Sequence, residues 1–131
     1  MKKSKLKAFA VSAAALALIV SAQPAFAASS VSGSAGGAWT SGSSSIGSSS
    51  GSGNTSSGSG SAYVSVEVTY RYYYGLATSP RSVIKSNSGY QPGVSVTASA
   101  EYLPAQSIDS TAKHVVKVGN ATWTDTSSTT P

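Results

Sequence analysis

The chain has 131 residues, of which 40% are hydrophobic and 10% are charged, and it contains no cysteine. The lack of cysteine excludes disulfide bonds, thiolate zinc sites and a lipid-modified cysteine. The formal net charge is +5, but its basic residues are concentrated at the start of the chain, so the total does not indicate a basic surface.

The first 27 residues have the three parts of an export signal peptide. Four of the first seven residues are lysines, and an apolar run follows over residues 8–20. Ala25, Phe26 and Ala27 give the small-x-small pattern that signal peptidase accepts. The apolar run is too short for a membrane span, which needs about 20 residues. We therefore expect cleavage after Ala27 and a secreted protein without an integral membrane span.

Removal of this segment leaves almost no excess of positive charge. Five basic and four acidic residues remain after residue 27, a net charge of +1. A basic patch that could neutralise phosphates is therefore missing, and we expect no nucleic acid among the partners. An export signal followed by a chain without cysteine is typical of Gram-positive bacteria.

Residues 28–61 consist mostly of serine and glycine. A segment of this composition buries too little apolar surface to offset the entropy lost on ordering. We therefore predict a flexible, disordered tether over residues 28–61, preceding the folded domain.

Trp39 interrupts this segment, directly after Gly36, Gly37 and Ala38. A large ring in polar surroundings is available to dock on the domain or on a partner, so Trp39 is a candidate binding residue. The stretch over residues 36–42 resembles the Gly-Gly-x-Trp start of mature lactococcin-type bacteriocins, which are small secreted β-sandwiches. This resemblance implies an alternative function as a secreted antagonist of other bacteria.

Residues 62–126 are predicted to form a small all-β domain, either an antiparallel sheet or a β-sandwich. Polar and apolar residues alternate with a period of two through most of this region. The alternation is clearest in Tyr63–Tyr74, where even-numbered positions are valine or tyrosine and most odd-numbered positions are polar. Twelve extended residues would span about 40 Å, which exceeds a usual strand, so we expect a bend or bulge within this one.

Two shorter strands are predicted on either side of a loop over residues 86–93. The first covers residues 81–85 and the second covers residues 94–103, where Pro104 ends it. The chain closes with a polar tail over residues 127–131.

We predict a hairpin around Gly119 and Asn120, formed by the last two strands over residues 113–118 and 121–126. Glycine in the first turn position suits a type II′ turn, and a two-residue turn fixes the register. His114 then lies opposite Asp125, on the core side that also carries Trp123. We interpret His114 and Asp125 as a polar pair at the open end of the hairpin, not as part of a catalytic triad.

Tyr70, Tyr72 and Tyr74 continue the valine face of the first strand. Burial of each ring is worth about 1.5–3 kcal/mol, whereas one small core supplies only about 3–5 kcal/mol of net stability. Because exposure of three rings would cancel that stability, we predict that all three pack in the core.

The opposite face of the same strand carries the candidate binding residues Tyr63, Arg71 and Tyr73. Tyrosine and arginine are typical of binding surfaces, and aromatic rings can stack on sugars. Packing against neighbouring strands on a half-exposed face is the alternative for these side chains.

The chemistry available for catalysis is sparse. The chain has one histidine, four carboxylates and no thiol, and no combination of them indicates catalytic residues, a metal site or a cofactor. We therefore expect a secreted bacterial extracellular binding or surface-structural protein that is not an enzyme. Its expected partner is a cell-wall glycan or a surface protein, and the sequence leaves the oligomeric state open.

Overall fold

The structure, a computed structural model, describes residues 27–131. Eight strands make up most of this region: β1 (Ala27–Ala35), β2 (Ala38–Ile46), β3 (Ser50–Ser57), β4 (Tyr63–Tyr74), β5 (Arg81–Tyr90), β6 (Gly93–Ser99), β7 (Ala105–Val118) and β8 (Ala121–Thr129). The predicted all-β class is confirmed. Apart from Ala27, the predicted signal peptide lies outside the described residues.

Two four-stranded antiparallel sheets pack face to face as a β-sandwich. Sheet A has the strand order β1-β2-β3-β6, and sheet B has the order β5-β4-β7-β8. Buried apolar side chains lie between the sheets, and β4 contributes more of them than any other strand. In the part of the chain that the structure describes, no helix is long and apolar enough to cross a membrane.

The loops gather at the two ends of the sandwich, which have different character. The hairpin end carries the tight turns at residues 36–37 and 119–120. The leucine end, opposite to it, carries the loops at residues 75–80 and 100–104. These two ends hold the exposed aromatic clusters described below.

The prediction of a disordered tether over residues 28–61 is wrong, because this segment forms β1, β2 and β3. Its glycines allow bulky side chains of sheet B to approach the backbone of sheet A. A Cβ atom added to Gly42 would lie 2.4 Å from Cγ of His114, and one added to Gly53 would lie 2.7 Å from Cγ2 of Val68. The apolar surface that orders the serine-glycine strands therefore comes mainly from the facing sheet and not from their own composition.

The domain boundaries change accordingly. The sandwich runs from Ala27 to Thr129, whereas the predicted domain covered residues 62–126. Most of the predicted polar tail at residues 127–131 belongs to β8, where Ser127 and Thr129 are buried. This short polar sequence has the composition of a tail because its inward-facing side chains pack against polar and not apolar groups.

Gly42→Ala is expected to lower stability by about 1–3 kcal/mol, the usual cost of overpacking a core. The new methyl group would lie 2.4–2.6 Å from three atoms of the His114 ring. Gly60→Ala is the matched control, because its added Cβ would have no atom within 4 Å apart from those of Gly60 and its two neighbours in the chain. The stability of this variant should be unchanged or slightly higher. Urea unfolding followed by circular dichroism measures both changes. Equal midpoints for the two variants would contradict close packing of sheet B on β2.

The pairing of the long strand β4 with β7 is irregular at one point. Arg71 pairs with Asp109 and Tyr72 pairs with Ser107, so the extra residue at this register shift is Ile108 of β7. The bend or bulge predicted within β4 therefore lies in its partner strand, and the alternation of β4 continues through the shift. Tyr70 and Tyr72 are buried, with their rings stacked 5.5 Å apart. The core role predicted for these two tyrosines is therefore confirmed.

Tyr74, by contrast, is 38% exposed, and its predicted burial is wrong. It is the last residue of β4 and pairs with Ala105, the first residue of β7. Its ring lies against Tyr102 in a loop at the leucine end. The face of β4 that carries the buried valines thus extends to Tyr74, past the region over which sheet A packs.

The hairpin of β7 and β8 has the predicted register, with Val116 opposite Trp123 and His114 opposite Asp125. Gly119 has a φ of +59°, and Asn120, like every non-glycine residue within 27–131, does not have a positive φ. A type II′ turn requires this combination, with a positive φ at its first central residue only.

The predicted loop over residues 86–93 is largely wrong, because β5 continues to Tyr90. Residues 86–90 pair with residues 63–67 of β4. Pairing with a long neighbouring strand thus outweighs a local composition of serine, asparagine and glycine. In the same region β6 ends at Ser99, earlier than predicted.

Candidate functional site

The four predicted binding residues do not form one strip, although Arg71 and Tyr73 are neighbours on the outer face of sheet B. Tyr63 and Tyr73 occupy opposite ends of β4 on the outer face of sheet B. About 26 Å of extended chain separates Tyr63 from Arg71. Trp39 lies on the outer face of sheet A, because its neighbour Thr40 is buried between the sheets.

Arg71 is held by Asp109, its cross-strand neighbour on β7. The Nε atom of Arg71 donates to Oδ1 at 2.9 Å and to Oδ2 at 3.1 Å, and one terminal nitrogen also contacts Oδ2. Hydrogen bonding to this carboxylate raises the pKa of the guanidinium group. A ligand at Arg71 would therefore have to compete with a charge-assisted, two-point contact.

Tyr63 belongs instead to a recess at the hairpin end of the sandwich. Pairing of β4 with both neighbouring strands sets Tyr90 on one side of Tyr63 and Lys117 on the other. The two tyrosine rings meet edge to face with their centroids 5.4 Å apart, and Nζ of Lys117 lies 5.8 Å from the centroid of Tyr63. With Ser61 and Gly119 they line a cavity of about 370 Å³. We call this the tyrosine–lysine recess.

The recess combines groups suited to an oxygen-rich ligand. Its two rings offer apolar faces with hydroxyl groups at their edges, and its lysine offers a positive charge with three donors. Its volume falls in the range of about 300–1,000 Å³ that small-molecule sites occupy. No acidic side chain in the lining neutralises the charge of Lys117, so a ligand with hydroxyl and anionic groups fits best.

Two of the three principal recess residues were missed from the sequence. Tyr90 lies in the predicted loop over residues 86–93, and Lys117 lies in the predicted hairpin without a predicted role in binding. The period-two pattern that places Lys113, Val115 and Lys117 on one outer face is visible in the sequence. Their proximity to Tyr63 is not, because it depends on β7 pairing with β4.

Trp39 is exposed near the same end of the molecule, but on the other sheet. It packs over Gly58, where an added Cβ would lie 2.5 Å from the indole Nε1. The amide of Gly58 donates to the carbonyl oxygen of Trp39 at 2.9 Å. Residues 58–62 connect Gly58 to Tyr63, and Trp39 is not among the residues that line the recess.

His114 is not at a frayed end, and its interpretation as a polar pair with Asp125 is wrong. Its ring is buried between the sheets, with Nδ1 bonded to Thr55 Oγ1 at 2.8 Å and Nε2 bonded to Ser127 Oγ at 2.8 Å. The Asp125 carboxylate instead accepts a bond from the backbone N–H of Thr126. Because β7 and β8 extend further than predicted, His114 lies mid-strand.

Burial lowers the pKa of His114 to about 4, and the nearby Asp125 carboxylate only partly opposes this effect. The neutral imidazole therefore joins the two sheets through hydroxyl groups. Although Ser127 Oγ lies within bonding distance of the ring, both side chains are shielded from solvent, so no substrate can approach this pair. Within residues 27–131, no group of three or more acidic or histidine side chains is arranged to hold a metal ion.

Comparisons with protein-family models, with curated proteins and with solved structures found no match to this chain.

Proposed function

We propose that this protein is a secreted bacterial binding protein without enzymatic activity and that the tyrosine–lysine recess holds its ligand. The observation that carries this proposal is the convergence of Tyr63, Tyr90 and Lys117, from three adjacent strands, on one cavity. Because each side chain stands on a paired strand, little backbone conformational entropy is lost when a ligand binds.

A cell-wall glycan is the partner that this chemistry favours. Sugar rings present flat C–H faces to aromatic side chains, and their hydroxyl groups bond to phenols and ammonium groups. Acidic groups of a wall polymer would pair with Lys117. The predicted signal peptide supports an encounter with this partner, because export places the protein at the cell wall.

Replacing Tyr90 and Lys117 together by alanine is expected to weaken binding to isolated cell-wall material at least tenfold. Loss of hot-spot groups typically costs about 1–2 kcal/mol or more, and each 1.4 kcal/mol is a factor of ten in affinity. A pull-down with increasing amounts of wall material measures the apparent affinity.

The matched control replaces Tyr73 and Lys113 by alanine, since these are the same residue types on the same outer face but away from the recess. This control should change binding less than about twofold, which is less than 0.5 kcal/mol, and circular dichroism should show both variants folded. Greater loss in the control would move the site toward Arg71 and Tyr73. Absence of binding by the unchanged protein would remove the glycan proposal, and binding to a protease-sensitive wall component would favour a surface protein.

A secreted antagonist is the second candidate function. The observation that favours it is the position of Trp39, which follows the glycine turn at residues 36–37 in a β-sandwich, the fold that the lactococcin-type resemblance implies. Growth inhibition of related bacteria by the purified protein separates the two candidates. Wall binding without inhibition favours the binding protein, whereas inhibition that is lost in Trp39→Ala favours the antagonist.

A further inference from the structure

The leucine end of the sandwich carries an exposed apolar cluster that the proposed function does not use. Leu76, in the loop after β4, is as exposed as in an extended chain (103%), and Leu103, in the loop before β7, is 67% exposed. The N–H of Gly75 donates to the carbonyl oxygen of Pro104 at 3.0 Å. The two leucines are therefore neighbours of the two residues that tie the loops together.

Aromatic and cationic side chains surround the base of these loops. The rings of Tyr74 and Tyr102 lie 5.5 Å apart, and the guanidinium carbon of Arg81 lies 5.7 Å and 4.7 Å from their respective centroids. Tyrosine and arginine have an apolar body and a polar end, so both side chains are suited to the boundary between hydrocarbon and water. We call the five side chains the leucine tip: Leu76, Leu103, Tyr74, Tyr102 and Arg81.

We propose that the leucine tip docks on the surface of a lipid bilayer. Leu76 and Leu103 enter the boundary between headgroups and acyl chains, while Tyr74, Tyr102 and Arg81 remain at the level of the headgroups. This contact is peripheral and does not span the membrane. It leaves the tyrosine–lysine recess, at the opposite end of the sandwich, free to bind its own ligand.

A bilayer fits the leucine tip better than a second copy of the chain does. Stable protein interfaces use about 20–30 residues on each side and closely matched surfaces, whereas this tip offers five side chains on two loops. A fluid bilayer accepts protruding leucines without a complementary shape. The positive charge of Arg81 complements lipid phosphate. The negative charge of Glu101, in the same loop as Tyr102, opposes this attraction, so the apolar contacts carry most of the binding.

The direction of the chain provides an independent reason for this choice. Strand β1 begins with Ala27 at the leucine end, since it runs from there to the turn at residues 36–37. Residues 1–26 therefore join the sandwich at this end. If they act as the predicted signal peptide, export brings the leucine tip next to the membrane before cleavage.

Co-sedimentation with vesicles tests the proposal, using purified residues 27–131, which contain both sheets. The vesicles contain phosphatidylcholine and phosphatidylglycerol in a ratio of about 3:1 at about 0.1 M salt, where charges are screened beyond about 10 Å. The double variant Leu76→Ser, Leu103→Ser should partition at least tenfold less. Ile84→Ser is the matched control, because Ile84 is 58% exposed on the outer face of sheet B, and its effect should stay below about twofold, or 0.5 kcal/mol.

A second readout reports insertion directly. Tryptophan fluorescence of Leu76→Trp should shift to the blue when vesicles are added, whereas Ile84→Trp should show no shift beyond that of the unchanged protein. Sedimentation velocity of the unchanged protein and the double serine variant examines self-association. Failure of the unchanged protein to bind vesicles, or equal losses in control and double variant, would overturn the proposal. A dimer that the serine changes dissociate, with vesicle binding unaffected, would assign the tip to a second copy instead.

Discussion

Replacing Tyr72 by alanine is expected to destabilise the protein by about 3–5 kcal/mol, the range for removing a buried aromatic side chain. The ring is 1% exposed and stacks on Tyr70 at 5.5 Å. Its hydroxyl oxygen also accepts a bond from the backbone N–H of Glu101 at 3.1 Å. The substitution would therefore create a cavity between the sheets and leave that amide without its partner.

Tyr73→Ala is the matched control, because Tyr73 is the next residue in the chain and faces outward. Surface substitutions typically change stability by no more than about 0.5 kcal/mol. Thermal unfolding should show a fall in Tm of at least about 12 °C for Tyr72→Ala, since 1 kcal/mol corresponds to about 4–8 °C in a domain of this size. Greater damage from Tyr73→Ala would mean that the faces of β4 are inverted after Arg71.

This contrast between neighbouring tyrosines was predictable from the sequence because it depends on local alternation. Valine at positions 64, 66 and 68 fixes which side of β4 faces the core, and Tyr70 and Tyr72 continue that side. The two-residue turn at residues 119–120 fixed the last hairpin in the same local way. Such local patterns can be interpreted without information about which strands are neighbours in the sheet.

The fold of residues 28–61 was not predictable by the same means. Its inward-facing positions include Gly42, Gly51 and Gly53. These glycines contribute no apolar side chain, but they leave space that side chains of the facing sheet fill. The composition of a segment indicates only how much apolar surface its own side chains can bury. It therefore underestimates the tendency to form a strand where glycines let the side chains of the facing sheet pack closely against the backbone. A signal was nevertheless present, because serine or asparagine alternates with these glycines from Ser50 to Asn54.

The residues of the candidate site also differ in whether local sequence or strand pairing determines their position. Tyr63 was identified because it stands on the outer face of the strongest predicted strand. Tyr90 and Lys117 join it through pairing with β5 and β7, which no period in a single strand reveals. The contact between Arg71 and Asp109 depends in the same way on the pairing of β4 with β7.

Acidification is expected to destabilise the protein through His114. Burial lowers the pKa of this residue to about 4, whereas an unfolded chain has a histidine pKa near 6.5. Between these values the unfolded state binds more protons than the folded state, so stability falls as the pH falls. Linkage gives a loss of about 2 kcal/mol between pH 7 and pH 5.

The assignment is unusually clean because the chain contains one histidine, and carboxylates titrate mainly below about pH 5. Urea unfolding at pH 7, 6 and 5 measures the change. His114→Gln is the control, since glutamine keeps polar atoms that can bond to Thr55 and Ser127 but does not titrate. Its stability should be lower than that of the unchanged protein at pH 7 but nearly constant down to pH 5.

Protonation of His114 would affect both sheets together. In the neutral ring one nitrogen donates and the other accepts, so Thr55 of sheet A and Ser127 of sheet B can each be satisfied. The protonated ring donates from both nitrogens, so the hydroxyl that had donated to it must reorient, and a charge is left in a buried layer whose nearest carboxylate is Asp125. Constant stability from pH 7 to pH 5 in the unchanged protein would mean that this carboxylate or solvent stabilises the charge, and that the ring is not sealed between the sheets.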